Sequence, residues 1–417
     1  MAVLCAQIAG LALTRRLGRA GVAVGLLDSD PQATAFGSRY CRVSACAPPK
    51  ASDAEWLLRL EGLGEQLEAA SGVRRPALLA TSDPLLLLLS RHRERLAPRF
   101  RLLLPAAELI EALLDKRRMH RLAAAYLPAS THVTVPRTLE VASESELLAA
   151  GRELGFPCLL KSAYSQPAGR LFGTAEAPED PSSGKLRVAD IGSMRRAYAR
   201  LAPLDPRLMV QEYLAGGCER VALYNAYFDH ASRPVVVFTG RKLRQYPIEF
   251  GTACLSEACP MPGLAEPLTA FFQSVGYIGA VDVGLKFDPR TRHYKILDVN
   301  PRLGQNYRTY VTENGLDLGW LAYSDMAGDV LPGGLRPRRR RWAIEDHDWR
   351  TCRRLLSSGE LGLWSWLASY RGLRETAYWN WRDPLPFLRR LYRPFPAAQR
   401  PPAIPVRPEE AHVATSR

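Results

Sequence analysis

Ala280-Val281-Asp282-Val283-Gly284-Leu285-Lys286-Phe287, a polar turn over 288–293, then Tyr294-Lys295-Ile296-Leu297-Asp298-Val299-Asn300-Pro301-Arg302 reads as a β-hairpin running into a charged end. Alternate residues of a strand share a face, so Asp298 and Asn300 project together, opposite Asp282 and Gly284 of the partner strand. Two carboxylates and an amide oxygen on one face repel unless a hard cation lies between them. Mg²⁺ suits such a set, because it takes few protein oxygens and completes its shell with phosphate and water. Arg302, next along the chain, adds a planar cation able to meet a phosphoryl group or an acid.

Before the hairpin, 208–214, 220–228 and 235–239 have strand-like composition, and a helix is expected over 264–275. Gln211-Glu212-Tyr213-Leu214 runs into Gly216-Gly217, a place where a strand leaving its sheet can offer backbone groups to an adenine edge. Glu219 follows closely enough to accept ribose hydroxyls. In Thr239-Gly240-Arg241-Lys242-Leu243-Arg244 the alternation predicts that Lys242 and Arg244 point the same way, a cationic face for phosphate or carboxylate. A charged, solvated sheet edge is the plainer account of that pair.

Further upstream, a helix over 108–125 carries Asp115-Lys116, and a helix over 143–154 begins with an N-terminal capping signal. Gly155-Phe156-Pro157 leads into a strand ending at Lys161. A segment rich in Gly, Pro and Ser, from Tyr164 to Lys185, reads as a flexible loop, and a helix is expected over 191–201. A strand-end lysine before such a loop can meet triphosphate oxygens while loop amides cover them. Residues 1–107 read as a small α/β unit. The helix over 6–20 and the apolar strand 22–27 ending in Asp28-Ser29-Asp30 have the order of a Rossmann-like unit, but the leading strand is barely present and no GxGxxG precedes the helix. This unit is expected to be a degenerate scaffold.

The totals set the bounds. The chain has 417 residues, 47% hydrophobic and 24% charged, enough for two or three domains with packed cores. No apolar run reaches the roughly 20 residues of a membrane helix. The arginines Arg15 and Arg16 follow the apolar N-terminal stretch, the reverse of a signal peptide, so a cytoplasmic location is expected. Eight scattered cysteines without a CxxC pair, and seven dispersed histidines, argue against a metal cage or disulfide framework.

The order Asp115-Lys116, Phe156-Pro157-x-x-x-Lys161, Gln211-Glu212-Tyr213 and Asp298-Val299-Asn300-Pro301-Arg302 resembles the ATP-grasp superfamily, in its D-aspartate ligase-like or carboxylate–amine ligase branch. Arg241 to Pro247, Glu345-Asp346-x-Asp348 and Arg374 to Ala377 also resemble that branch. The likeness runs from about Leu13 to Leu388. It implies an α/β (α+β) ATP-grasp fold with a degenerate Rossmann-like N-terminal domain and a helical, basic C-terminal appendage. It also implies ATP with Mg²⁺, or Mn²⁺ in its place. Lys116 and Lys161 would hold phosphates, Gln211 would belong to the nucleotide-contacting segment, Glu212 would meet the adenine amino group, Leu214 would give a backbone contact, and Glu219 would bind ribose. Asp298 and Asn300 would hold the metal, Arg302 would stabilise phosphoryl transfer, and Lys242 and Arg244 would engage the acid. The reaction implied is activation of a carboxylate as an acyl phosphate followed by attack of an amine, with an amino acid or peptide as substrate. One departure stands out: where the family's pattern has an acid on the first hairpin strand, this chain has Gly284, and Asp282 is the acid in reach on the same face.

Residues 332–417 differ in kind, with 17 arginines, no lysine and 8 acids against a whole-chain net charge of +14. Six of the eight tryptophans lie there too, namely Trp342, Trp349, Trp364, Trp366, Trp379 and Trp381. Three accounts stand: a helical appendage with buried tryptophans and solvated arginines, an anionic membrane surface on the inner face of the membrane, or single-stranded nucleic acid, the last the weakest. The expected division is 1–107 (Rossmann-like), 108–330 (ATP-grasp, as 108–205 and 206–330), 331–393 (helical, Arg/Trp-rich) and 394–417 (disordered). A catalytically impaired ATP-binding scaffold or sensor at a membrane is the rival function, and a phosphotransferase that releases a stable phosphorylated product is a third.

Overall fold

The computed structural model describes residues 1–128, 131–162, 185–203 and 208–391. The glycine-rich loop expected from Tyr164, up to residue 184, and the 394–417 tail lie outside the described residues. Strands are numbered β1 to β16 in chain order.

The N-terminal unit is a four-stranded parallel sheet in the order β3-β2-β1-β4, formed by β1 (Ala2–Leu4), β2 (Val24–Asp28), β3 (Cys41–Cys46) and β4 (Leu78–Ala80). Its leading strand is three residues long yet interior, paired with β2 on one side and β4 on the other, and both faces of the sheet are covered, as parallel sheets require. Val3, Val24 and Leu26 turn to one core with the helix Ile8–Arg19, and Ala2, Leu4 and Leu27 turn to another with the helix Asp53–Ser71. That second helix opens with a capping box between Ser52 and Glu55 and stops at Gly72, whose φ of 70° suits glycine.

The helix expected over 108–125 is two helices, Ala107–Leu114 and Lys116–Tyr126. Asp115 between them is extended, and its carboxylate accepts hydrogen bonds from the backbone N–H groups of Arg117 and Arg118. An aspartate that caps a new helix outcompetes continuation of the old one. Lys116 therefore stands at a helix start.

Two sheets follow. The smaller, in the order β6-β9-β7-β8, comprises β6 (Thr138–Val141), β7 (Cys158–Ser162), β8 (Lys185–Val188) and β9 (Leu208–Glu212), backed by the helices Glu144–Leu154 and Ile191–Leu201. Because β9 pairs with β6 and β7, this sheet runs to Glu212, past the expected division at 205. The larger has eight strands in the order β16-β15-β12-β11-β10-β13-β14-β5. These are β5 (Val133–Thr134), β10 (Val221–Phe228), β11 (Pro234–Tyr246), β12 (Thr252–Ala258), β13 (Gly279–Asp288), β14 (His293–Asn300), β15 (Arg340–Ala343) and β16 (Leu373–Thr376). On β10, Ala222, Tyr224, Ala226 and Phe228 face a core with the helix Ala265–Ser274, and Val221, Leu223 and Tyr227 face the core shared with the N-terminal unit. Rings of Phe228, Phe271, Phe272 and Tyr277 pack at 5.0–5.9 Å on the first side, each such buried side chain stabilising by about 1.5–3 kcal/mol.

The expected helical appendage does contain the helices Glu345–Ser357, Leu363–Ser369 and Leu385–Leu391, but β15 and β16 extend the large sheet. Their β pairing depends on β12, a strand whose composition gave no clear signal. Of the six tryptophans only Trp342 is buried, while Trp364 is 81% exposed and Trp381 72%, so the expectation of buried tryptophans fails for most of them. Among the described residues no helix is long and apolar enough to cross a membrane.

Candidate active site

The hairpin of β13 and β14 pairs Asp282 with Asn300 and Gly284 with Asp298, so the register expected from alternation is the register present. The Asn300 amide nitrogen donates to Asp282 Oδ2 and Asp298 Oδ2, each at 3.2 Å. Asn225, on the neighbouring β10, donates from Nδ2 to Asp282 Oδ1 at 2.9 Å. Gly304 closes in from the other side, since a Cβ there would stand 2.5 Å from Asp282 Oδ2. Burial, and then the negative charge of Asp298, push the Asp282 carboxyl up to about 6.

The donor set fits a divalent cation. Two carboxylates converge on one amide, whose NH₂ occupies the place a shared positive partner would take. A half-turn of that amide presents its oxygen instead. Among the described residues no group of three or more His, Cys, Asp and Glu side chains gathers at any point, so a cation here would draw on Asp298, Asn300 and Asp282 and on groups from outside the protein, as Mg²⁺ does. Gly284 is part of the arrangement, because a Cβ at this position would lie 2.9 Å from Asp298 Oδ1. The missing side chain leaves room for the Asp298 carboxylate.

The hairpin forms one wall of a cavity whose opposite wall is the small sheet, with Lys161, Lys185 and Gln211 facing Asp282, Asp298, Asn300 and Arg302. Lys161 and Lys185 are direct register partners on β7 and β8, a like-charge pairing that destabilises a sheet by itself. Lys161 is buried, and its ammonium donates to Gln211 Oε1, whose Nε2 donates in turn to Thr138 Oγ1 at 2.9 Å. Burial, then the charges of Lys185 and Lys116, hold the Lys161 pKa well below its ordinary value. Lys116 is also buried, and burial followed by the Lys185 charge brings it down to about 8. Lys161 and Lys185 line this wall, and Lys116, which is not among the lining residues, lies near enough to feel their charge; a polyanion at such a cluster would relieve its stress.

The remaining expected residues divide. Leu214 is buried and lines the cavity. Lys242 lines it too, its Nζ donating to the Gly251 carbonyl at 2.8 Å. Arg302 lines it with Nε held by Asp83 Oδ1 at 2.5 Å and Nη2 3.4 Å from Asn300 Oδ1. Glu212 is at the cavity, but both carboxylate oxygens are engaged: Oε1 by Lys295 and the Arg137 N–H, Oε2 by Arg290 at 3.0 Å. Side chains alternate along β9, so Gln211 takes the face of Lys161 and Glu212 the other. In this arrangement the Glu212 carboxylate is not available to an adenine amino group. Glu219 is not among the cavity-lining residues; it sits exposed in the short helix Cys218–Arg220 and accepts from its own loop's Gly217 N–H at 2.9 Å. Arg244 is a correction. The register of β11 against β12 shifts between Lys242 and Arg244, which turns the guanidinium away from the cavity into a buried two-pronged bond with Asp348 at 2.7 and 2.9 Å.

Five residues at the site escaped the reading of the sequence. Lys185 fell at the end of a segment read as loop. Asp83 belongs to the N-terminal unit, read as scaffold, yet it orients Arg302. Gln305 and Asn306 follow the hairpin and line the cavity, with no local signal. Asn225 could have been noticed, since one amide inside the apolar run Ala222-Leu223-Tyr224-Asn225-Ala226-Tyr227-Phe228 needs a partner when buried.

No family model matches the chain. Over 255 residues it is 26% identical to the D-aspartate ligase of Enterococcus faecium (strain Aus0004), a match covering 60% of this chain and 58% of that enzyme. The chain thus spans little more than half the length of that curated relative. Among solved structures, the biotin carboxylase domain of the 2-oxoglutarate carboxylase from Hydrogenobacter thermophilus, in complex with MgADP, ADP and bicarbonate, superposes with a TM-score of 0.58 at 14% identity, over 82% of this chain and 73% of that one. The L-amino acid ligase from Bacillus licheniformis gives a TM-score of 0.58 at 12% identity, over 82% of this chain and 78% of that one. The fold described above is the one these two solved structures share.

Proposed function

We propose that this chain, which has the ATP-grasp fold, is an ATP-dependent ligase that activates a carboxylate as an acyl phosphate and joins it to an amine, releasing ADP and phosphate. The observation that carries the reading is the cavity itself, where a hairpin face of Asp282, Asp298 and Asn300 confronts Lys161 and Lys185. An acidic wall and a cationic wall on one cleft match the two halves of a metal–polyphosphate. The relatives support the same chemistry: one is named for joining D-aspartate and one for joining L-amino acids, and a third was solved with MgADP and bicarbonate. The substrate class proposed is an amino acid or peptide acid with an amine.

In this reading Lys161, Lys185 and Lys116 bind the phosphates, and an arriving anion favours the charged form of the buried Lys161 and Lys116, whose pKa values burial holds down. Leu214 offers its backbone to the adenine. Asp298, Asn300 and Asp282 would hold Mg²⁺, with Asn225 and Gly304 fixing the Asp282 carboxylate. Bound magnesium supplies a double positive charge that offsets charge on the transferring phosphoryl group. Arg302, oriented by Asp83, places a fixed cation beside the same centre. Lys242 attracts the acid. Its carboxylate oxygen attacks the γ-phosphorus as the bond to ADP breaks, and the amine nitrogen then attacks the acyl carbon, expelling phosphate and losing a proton.

The test is release of ADP and phosphate by purified protein given ATP, Mg²⁺ and a pool of amino acids, with Lys161→Ala as control. Release that needs both the pool and Lys161 supports the ligase; equal release by the Lys161→Ala variant sinks the site. The exposed Trp364 and Trp381 favour a second reading, an ATP-binding scaffold without catalysis at an anionic membrane. ATP binding without turnover on any pool, together with co-sedimentation on phosphatidylserine vesicles, would support that reading.

A further inference from the structure

Lys242 lines the cavity, and the register of β11 changes just beyond it. Lys242 pairs with Ser256 and Arg244 with Leu255, so two steps on β11 match one on β12 and Leu243 is the extra residue of a bulge. Bulges re-aim side chains next to functional sites. The residues after this one are held from the C-terminal segment, which the mechanism leaves unused. Arg244 and Asp348 are both buried, with side-chain exposures of 6% and 2%. Asp348 also accepts from Tyr370 at 2.5 Å, and Arg244 donates to Ser369 Oγ at 2.7 Å.

A second tie runs from the same helix, Glu345–Ser357. Thr351 Oγ1 donates to the Gln245 carbonyl at 3.0 Å, and Arg350 donates to the Tyr246 hydroxyl at 3.1 Å. Gln245 passes this on to the loop that walls the cavity. Its Nε2 donates to the carbonyls of Ile248 and Glu249 at 2.5 and 2.9 Å, and its Oε1 accepts from Lys242 at 3.3 Å. Gly251 ends the loop against the backbone of Tyr246 and Pro247, where a Cβ would stand 2.0 Å from the Tyr246 carbonyl carbon, and its own carbonyl takes the other Lys242 bond. An unbroken set of bonds thus runs from Asp348 and Thr351 to the Lys242 ammonium.

We infer that Asp348, with Thr351, is a positioning residue that fixes the β11 bulge and the 247–251 loop so that Lys242 presents its ammonium to a substrate carboxylate. The identity of that ligand rests on the ligase reading above; the placement of Lys242 does not. Among the described residues the Arg/Trp-rich segment lines no part of the cavity but holds one of its walls in place from behind.

The test compares wild type with the double variant Arg244→Met/Asp348→Leu, which removes both buried charges together, and with Thr351→Val. Each full-length protein is exposed to an amine-acylating reagent, and Lys242 modification is followed by mass spectrometry against the exposed Lys50. Lys242 labelling is expected to change about threefold or more in the double variant and by a smaller factor in Thr351→Val, with ATP affinity unchanged. In turnover, KM for the acid should rise about tenfold at little changed kcat, the split expected when ground-state placement is lost. Unchanged Lys242 labelling in the folded double variant overturns the inference. If that variant does not fold, unchanged labelling in Thr351→Val overturns it. Failure of wild type to turn over ATP with any acid sinks the ligase reading, while the labelling result still decides this one.

Discussion

The cavity and the C-terminal segment are both rich in cations, and the structure treats them in opposite ways. At the C-terminal segment buried arginines meet its carboxylates: Arg244 of β11 with Asp348, Arg390 with Asp346 at 2.7 Å, and Arg340 with Glu375 at 3.1 Å. Arg15 of the N-terminal helix reaches across to Asp383 at 2.8 Å and to three carbonyls of the segment. In the cavity each wall sets like beside like, Lys161 next to Lys185 on one and Asp282 next to Asp298 on the other. Paired charges that satisfy their partners serve architecture, whereas charges set against their own kind store an electrostatic deficit that a ligand removes. The number of arginines is therefore a poor guide to where a polyanion would bind, because most of these arginines already have carboxylate partners.

This contrast can be broken at several points. The largest effect is expected at Lys161. Lys161→Ala should lower nucleotide turnover by roughly a thousandfold, the scale on which a preorganised charge acts, with the circular dichroism spectrum retained; turnover within tenfold of wild type would remove the cationic wall from the mechanism. Next is the C-terminal segment. Asp383→Ala strands the buried Arg15 and should cost about 3–5 kcal/mol in denaturant unfolding, while ATP affinity, measured far below the midpoint, stays the same. A shift in that affinity would mean the two regions are not separable.

A pH effect sharpens the comparison. His120 is buried beside the lysine wall, and burial, then the charges of Lys161 and Lys116, bring its pKa down to about 4 from an ordinary value of 6.5. Between these limits the unfolded chain binds the extra proton, so stability is lost as pH falls. The loss should approach about 3 kcal/mol across that window. His120→Gln should flatten this part of the pH–stability curve, and an unaltered curve would count against the packing of His120 among the lysines. The smallest effect is at the acidic wall: Gly284→Ala places a Cβ against Asp298 and should weaken Mn²⁺ affinity, read by calorimetry, by about tenfold. Equal or tighter binding would show that the glycine does not serve the carboxylates.

The acidic hairpin was legible in the sequence because strand alternation is local and dictates which side chains share a face. Spacing alone was enough to set Asp282, Gly284, Asp298 and Asn300 opposite one another. The same rule failed for Arg244, because a bulge is a defect in pairing with β12, and β12 itself has no strong pattern. Helical periodicity failed at Asp115, where a side-chain cap competes with helix continuation and the period does not record the contest. Lys185 was hidden for a different reason: its importance comes from facing Lys161, 24 positions earlier in the chain.

Chain order and simple periods were sufficient for the acidic hairpin, the strand-end lysine, the α/β character of the N-terminal unit and the cationic character of the C-terminal segment, since each depends on residues close together in the chain. Which cations face the cavity, and which are consumed by carboxylates, was decided by tertiary packing. Asp83 orients Arg302 from 219 positions away and Asp348 holds Arg244 from 104. A charge takes its role from the distance and burial of its partners, and those are set by packing between sheets rather than by the order of residues along a strand.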